Sequence, residues 1–381
     1  MKKILLFVLV SLMVVSLFAG CAGNAQKEDV TNAPETSATE PAETAAAETD
    51  GAVATGAVKT GLGQFISIAQ SASASVNEDG APVNALAQMD AIMAAVTVDS
   101  EGKIVSVKID NAQVKINFDS KGQLVSDPSA SVQTKVELGD AYGMKKASGI
   151  GKEWYEQIAA LEDWMAGKTI DEIMAMKTFQ KDDAHPAVPE EADLTSSITL
   201  SVEGYLEAVK EAVEKAQSFD VEVTGTAKTG LGSVVSIAKS ASATADADAS
   251  GQVDVVMAAV TVDEAGKIVG VLIDNGQVKV NFDAKGTLIT DTAVNPLTKV
   301  ELGNDYGMKK ASSIGKEWFE QIDALGKWMI GKTIDEVMAV KTFVKDEAHP
   351  AVPEDADLTS SVTLSIESYL EAVQKAVQSA K

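Results

Sequence analysis

The sequence predicts an α+β fold built twice, as two tandem copies of a domain that combines an antiparallel sheet with helices. Residues 93–217 align with residues 257–381 without a gap, and more than two-thirds of the aligned positions are identical. Within each copy, segments with strand-like alternation come first and segments with helical spacing follow. A repeat of this length indicates two tandem domains rather than a solenoid of small units.

The strand predictions rest on alternation and on turn residues. Residues 65–69 form the first predicted strand. Residues 94–98 and 104–109 flank a turn in which Gly102 supplies the positive φ that a hairpin needs. Residues 114–118 alternate between apolar and polar side chains, which predicts a further strand. Together these segments indicate an antiparallel sheet with one buried face.

The second half of each copy has the spacing of amphipathic helices. One predicted helix ends near Gly167, a residue typical of the position after a helix C-terminus. Thr169 and Glu172 form a capping box that opens a short helix over residues 170–176, and residues 202–216 form the last helix. The predicted buried face of the first helix consists of Trp154, Ile158, Leu161 and Met165.

The N-terminus has the features of an export signal. A basic start at Lys2 and Lys3 precedes an apolar run over residues 4–17, which is too short to span a bilayer comfortably. The run leads into Phe-Ala-Gly-Cys ending at Cys21, which resembles a lipobox. The sequence therefore predicts a lipoprotein signal peptide over residues 1–20 and a lipid on Cys21 that holds the protein at the outer face of the membrane.

A change in composition marks the domain organisation. Residues 21–56 are rich in Ala, Thr and Glu and contain almost no large apolar side chains, which is typical of a disordered acidic tether. We expect the first domain over residues 57–217 and the second over residues 218–381.

Composition excludes several classes of function. The formal net charge is −24, so the protein would repel a nucleic acid. Every basic residue apart from the histidines is lysine, so the chain lacks the bidentate clamp that arginine offers to an anion. Cys21 is the only cysteine, which excludes disulfides and cysteine-ligated metals in the domains. His185 and His349, one in each copy, make a poor transition-metal site and are interpreted as loop residues.

Other motifs have simpler interpretations. The loop from Ser148 to Lys152 resembles a phosphate loop, but it has Lys146 in place of the first glycine and Glu153 in place of the final Ser or Thr. The acidic turn that begins at Asp246 lacks the glutamate that closes a calcium loop. The four tryptophans are expected mainly in the cores, with stacking on a planar ligand as the alternative. They are Trp154, Trp164, Trp318 and Trp328.

A cluster of hydroxyl side chains precedes the last helix in each copy. Copy 1 has Asp-Leu-Thr-Ser-Ser-Ile-Thr-Leu-Ser over residues 193–201, and copy 2 has nearly the same segment over residues 357–365. On its own, this pattern suits an exposed strand that ends in a serine N-cap, at Ser201 and Ser365.

This segment also resembles the bacterial FMN-binding domain of extracellular flavoproteins. That family has Asp-x-x-Ser-Gly-Ala-Thr before a helix, and the threonine receives FMN through a phosphoester bond made by a flavin transferase. Ser197 and Ile198 replace the glycine and alanine here, as Ser361 and Val362 do in copy 2. The residues that match the motif are Asp193, Ser196 and Thr199 in copy 1, and Asp357, Ser360 and Thr363 in copy 2.

The resemblance implies covalent FMN on Thr199 and Thr363, with a flavin transferase and a redox partner as protein partners. From the few cysteines and histidines we expect no metal. Thr195 and Thr359 are alternative attachment points. The chain would then transfer electrons outside the membrane, and no hydrolytic or transferase constellation is visible. The alternative function is a non-redox surface lipoprotein whose duplicated domains bind a small ligand or a partner, or act as a structural module.

Overall fold

The computed structural model describes residues 57–221, 223 and 225–380. The predicted signal peptide, the tether and Cys21 lie outside these residues. None of the helices in the described part of the chain is long and apolar enough to cross a membrane. The predicted α+β architecture is confirmed, and the pattern of sheet plus helices occurs twice.

Copy 1 begins with a three-stranded antiparallel sheet of β1 (Lys59–Ser67), β2 (Ala85–Val98) and β3 (Ile104–Phe118), with β2 in the centre. The prediction of two separate strands over residues 104–109 and 114–118 was wrong, because the polar residues between them stay in the ladder. Asn111, for example, pairs with Ile92 in the ladder and is almost fully buried although it is polar.

The first strand also begins earlier than its apolar pattern suggests. Gly61 and Gly63 look like loop residues, yet both lie inside β1 because a helix crosses very close to them. An added Cβ would come within 1.9 Å of the carbonyl oxygen of Ala212 at Gly61, and within 2.2 Å of that of Ala208 at Gly63. The glycines therefore permit close packing of helix on sheet.

The helices of copy 1 are α1 (Lys135–Leu138), α2 (Trp154–Met165), α3 (Ile170–Met174) and α4 (Glu203–Glu214). The predicted apolar face of α2 is buried. The predicted capping box of α3 is present, with the amide of Glu172 donating to the Thr169 hydroxyl and the Glu172 carboxylate accepting from the amide of Thr169.

Copy 2 repeats this order. Its sheet consists of β4 (Lys228–Ser236), β5 (Ala249–Val262) and β6 (Ile268–Phe282), with β5 in the centre. Its helices are α5 (Lys299–Leu302), α6 (Trp318–Met329), α7 (Ile334–Met338) and α8 (Glu367–Ser379).

Short elements complete the described chain. Antiparallel two-residue strands join Ser75–Val76 to Pro82–Val83, Thr178–Phe179 to Val188–Pro189 and Thr342–Phe343 to Val352–Pro353. Single 3₁₀ turns cover Gly139–Tyr142, Met144–Lys146, Gly303–Tyr306 and Met308–Lys310.

Three apolar cores hold the described part of the chain together. One core in each copy lies between the sheet and its helices. The third lies between the two sheets and contains buried side chains from both copies. Within it, the rings of Phe118 and Phe282 lie 5.3 Å apart. The two copies therefore bury part of their apolar surface only against each other.

Buried threonines connect the two sheets beside this shared core. The Thr97 hydroxyl lies 2.6 Å from that of Thr229 and 2.8 Å from that of Thr261. The Thr60 hydroxyl lies 2.7 Å from that of Thr261. Each of these hydroxyls can donate one bond and accept others, so the cluster satisfies its own polar groups away from water.

Candidate functional site

The hydroxyl-rich segment of copy 1 is a series of turns that leads into α4, not the exposed strand that alternation suggested. Thr195 and Ser196 are exposed. Ile198, by contrast, is 1% exposed and packs in the core of copy 1. Thr199 is half-buried. Because Ile198 is buried, the segment is held against the domain, and Thr199 lies between the core and the solvent.

A buried glutamine holds Thr199 in place. Gln157 lies on α2 and is fully buried. Its Oε1 accepts a bond from the Thr199 amide at 2.9 Å and another from the Thr199 hydroxyl at 3.3 Å. Its Nε2 donates to the hydroxyl of Ser148 at 3.2 Å. Gln157 therefore joins the hydroxyl segment to the loop that precedes α2.

That loop also supplies a cation to the site. Lys152 donates from Nζ to the hydroxyl of Ser197 at 3.1 Å. The loop from Ser148 to Lys152 does not fit a nucleotide phosphate loop, but the fold places it beside Thr199. The site thus combines the hydroxyl of Thr199, the buried side-chain amide of Gln157 and the amino group of Lys152.

Copy 2 reproduces the arrangement closely. Gln321 accepts from the Thr363 amide at 2.8 Å and from its hydroxyl at 3.2 Å. Lys316 donates to the Ser361 hydroxyl at 3.2 Å. Val362 is fully buried, as Ile198 nearly is. The same polar geometry is therefore built in both copies, despite the sequence differences between them.

The other residues that match the motif lie outside this hydrogen-bonded group. Asp193, Asp357, Ser196 and Ser360 are exposed. Among the described residues, their side chains make no hydrogen bond to the threonine, glutamine or lysine of the site. The alternative attachment points, Thr195 and Thr359, are exposed too, and each donates its hydroxyl hydrogen to a nearby backbone carbonyl.

The last helix begins without a side-chain cap from the described residues, since its N-cap residue is Val202. The interpretation of Ser201 as the N-cap was wrong, because its hydroxyl instead accepts a bond from the amide of Ala187 at 3.2 Å. Ser365 differs from its prediction in the same way, accepting from Ala351. The amino end of α4 therefore has no side-chain cap among the described residues, and Glu203 places a carboxylate in its first turn.

A second polar cluster, which the sequence did not reveal, surrounds Lys135 in copy 1. The Lys135 amino group sits 4.9 Å from the centre of the Tyr142 ring and 5.4 Å from that of Trp154. Trp154 donates from Nε1 to the Tyr205 hydroxyl at 2.9 Å. Burial lowers the pKa of Lys135, and nearby Asp90 opposes that shift. These contacts stabilise a buried cation through aromatic faces.

The corresponding cluster in copy 2 surrounds Lys299, whose pKa burial lowers to about 8. Trp154 and Trp318 lie in the cores, as predicted. Trp164 and Trp328 are half-buried, and each has a lysine amino group over its ring, from Lys168 and Lys332.

The two histidines lie in exposed loops, where His185 and His349 each contact an aspartate three residues earlier, with ring nitrogen to carboxylate distances of 2.7 Å. Within the described residues, no group of three or more His, Cys, Asp or Glu side chains could hold a metal ion.

A short part of the chain is similar to a known protein. Over 90 residues the chain is 32% identical to chlorophenol reductase of Desulfitobacterium hafniense, and the match covers 21% of this chain and 28% of that protein. No family model matches the chain, and no solved structure matches it. The resemblance to the FMN-binding domain therefore stays a prediction.

Proposed function

We propose that this chain is a membrane-anchored extracytoplasmic lipoprotein that carries FMN on Thr199 and on Thr363 and transfers electrons outside the membrane. The flavin would supply the redox chemistry when bound. The protein's own residues would provide the attachment point, the orientation of the threonine and a local positive charge.

The observation that supports this proposal is the twofold occurrence of one polar site. In each copy a half-buried threonine is held through its amide by a buried glutamine, and a lysine contacts the serine two positions earlier. A phosphoester on the threonine would be an anion. Lys152 and Lys316 are the residues that would face its charge. The helix dipole at the uncapped amino end of the following helix would favour it, against the carboxylate of Glu203 or Glu367 in the first turn.

The replaced motif residues are compatible with attachment. Ile198 and Val362 stand where the motif has alanine, but both side chains point into a core and add no bulk at the surface. Only Ser197 and Ser361 remain beside the threonine, and each already accepts a bond from lysine. A transferase would therefore meet one small extra side chain in each copy.

The charge of the chain favours a covalent link over reversible binding. With a net charge of −24 and no arginine, the protein should repel free FMN. An ester bond makes this repulsion nearly irrelevant. It would also keep the cofactor on an exported protein, where a dissociated flavin would diffuse away.

The test is co-expression with a flavin transferase, followed by denaturation and mapping of flavin-bearing peptides. Thr199→Val and Thr363→Val should each remove one of two flavins, and the double variant should be colourless. Thr195→Val and Thr359→Val are the matched controls and should keep both flavins. A colourless wild-type protein beside a modified control domain would leave the alternative, a non-redox surface lipoprotein that binds a small ligand or a partner.

A further inference from the structure

The two copies differ where an edge strand packs against a helix, namely at β3 and α2 in copy 1 and at β6 and α6 in copy 2. In copy 1, Glu162 on α2 lies against β3 with little exposure. Its Oε1 accepts from the amide of Ile109 at 2.7 Å, and its Oε2 accepts from the amino group of Lys108 at 3.0 Å. This carboxylate therefore fills the space between helix and strand and satisfies a strand-edge amide.

Copy 2 lacks both partners of this ion pair. Gly326 occupies the position of Glu162, and Leu272 occupies that of Lys108. Ile273 is the counterpart of Ile109 and pairs with the same position of the central strand. Because the register is the same, the amide of Ile273 faces the outer side of the strand as that of Ile109 does, and no described residue accepts a hydrogen bond from it. Ile273 as a whole is 5% exposed. An amide with so little access to water favours an acceptor from elsewhere.

The missing side chains leave a cavity of about 580 Å³ in copy 2. This volume lies within the range of small-molecule sites, which are concave and mainly apolar with a few polar groups. Leu62 of copy 1 closes one side of the cavity. The other apolar walls come from Val271, Leu272, Ile273, Phe319 and Ile322.

We propose that this cavity binds a small organic acid with an apolar body. The carboxylate of the ligand would take the place that the Glu162 carboxylate occupies in copy 1 and accept the amide of Ile273. The apolar body would fill the space beside Phe319. The proposal concerns copy 2 alone and does not depend on flavin attachment.

The charges around the cavity fit an acid in spite of the acidic protein. Lys215, Lys316 and Lys327 all line it. Lys327 is paired with Asp323 at 2.6 Å, and Lys215 is paired with Glu211 and lies 3.7 Å from the Glu301 carboxylate. Lys316 instead donates to a serine hydroxyl and pairs with no carboxylate among the described residues. The remote surface charge is screened over about 8 Å at physiological ionic strength. The amino group of Lys316 is therefore the cation that would attract an acid to this cavity.

The carboxylates that face the cavity already have partners. Asp274 accepts from the Thr298 hydroxyl and from the amides of Asn275 and Val300. Glu320 accepts from the amide of Glu317 in a capping box. Neither offers an acceptor that would satisfy Ile273, so the amide stays available to a ligand.

The experiment is a calorimetric titration of the chain from residue 22 onward, made without flavin, with 2-naphthoate and with the neutral 2-naphthalenemethanol. The wild type should bind one equivalent of the acid, and at least tenfold more tightly than the alcohol. The variant Leu272→Lys with Gly326→Glu transplants the ion pair of copy 1 and should lose binding at least tenfold. An added Cβ at Gly326 meets its nearest atom at 3.4 Å, so the backbone accepts a side chain there.

Two further variants keep the proposal testable if the transplant fails to fold. Gly326→Leu should block the cavity without adding a charge. Lys108→Leu with Glu162→Gly should open a second cavity in copy 1 and raise the stoichiometry to two. Unchanged affinity in a folded Gly326→Leu variant would overturn the site, and equal affinity for the alcohol would overturn the assignment to an acid. Since the protein used carries no flavin, neither result bears on Thr199 or Thr363.

Discussion

At the scale of single residues, one aspartate in each copy has an unusual proton affinity. Burial raises the pKa of Asp110 and that of Asp274 to about 6, even though hydrogen bonds from Thr134 and Thr298 oppose the shift. In the unfolded chain the pKa of an aspartate is about 3.9. The folded state therefore binds the proton more tightly, and the stability that protonation gives is lost as the pH rises from about 4 through about 6.

We therefore expect Asp110→Asn with Asp274→Asn to flatten the pH dependence of the unfolding free energy between about pH 4 and about pH 6. As the pH falls across this range, the wild type should become more stable relative to the variant, because it takes up protons that the variant cannot. Chemical denaturation at both pH values measures the difference. Asp193→Asn, at an exposed position, is the control, and a double variant with the wild-type slope would contradict the assignment.

Some site residues could be predicted from the sequence and others could not. Thr199 was identified because the motif and the following helix are local features. Gln157 was not, because its bond to Thr199 spans 42 residues and a glutamine on a helix has no distinctive pattern. Lys135 resembles an ordinary surface lysine, and only the fold places it under two aromatic rings.

At the scale of elements, helices were predicted better than strands. The spacing around Trp154 and the capping box at Thr169 depend on neighbours within one or two turns, and both were confirmed. The long strand β3 was divided in the prediction because Asp110 and Asn111 are unusual in a strand. In the structure the carboxylate of Asp110 accepts a hydrogen bond from the backbone amide of Asn111. The side-chain oxygen of Asn111 is buried and has no hydrogen-bond partner among the described residues.

Helix packing on the sheet gives a prediction at this scale. Gly63→Ala would bring a methyl group to 2.2 Å from the carbonyl oxygen of Ala208, which α4 cannot avoid without moving. Overpacking of this kind typically costs about 1–3 kcal/mol or more of stability. Gly149→Ala is the matched control, because a Cβ there meets nothing within 4 Å. Urea denaturation of both variants measures the costs, and equal costs would contradict the close approach.

At the scale of the whole molecule, the duplication produces a shared interior. The core between the sheets takes side chains from both copies, including Met89 and Met257, which are almost fully buried. The sequence predicted two copies from their identity but not this core, because alternation along a strand does not say what covers its second face. A buried second face explains why residues such as Ala91 and Ala95 are apolar.

We expect residues 57–217, expressed alone, to self-associate. Without copy 2, the sheet face that contains Phe118 would be exposed to water, and an apolar face of this kind favours association. Analytical ultracentrifugation of the fragment, compared with residues 57–381, makes the measurement. A monomeric fragment with an unfolding midpoint equal to that of the longer chain would show that the shared core contributes little.

The central claim is that each copy carries FMN as an ester on the threonine before its last helix. The most direct measurement is the intact mass of the protein isolated from its native membrane and fully denatured. The account predicts two mass increments, each equal to FMN less water, with yellow absorbance that remains with the denatured chain. A mature chain whose mass shows no such increment would contradict it.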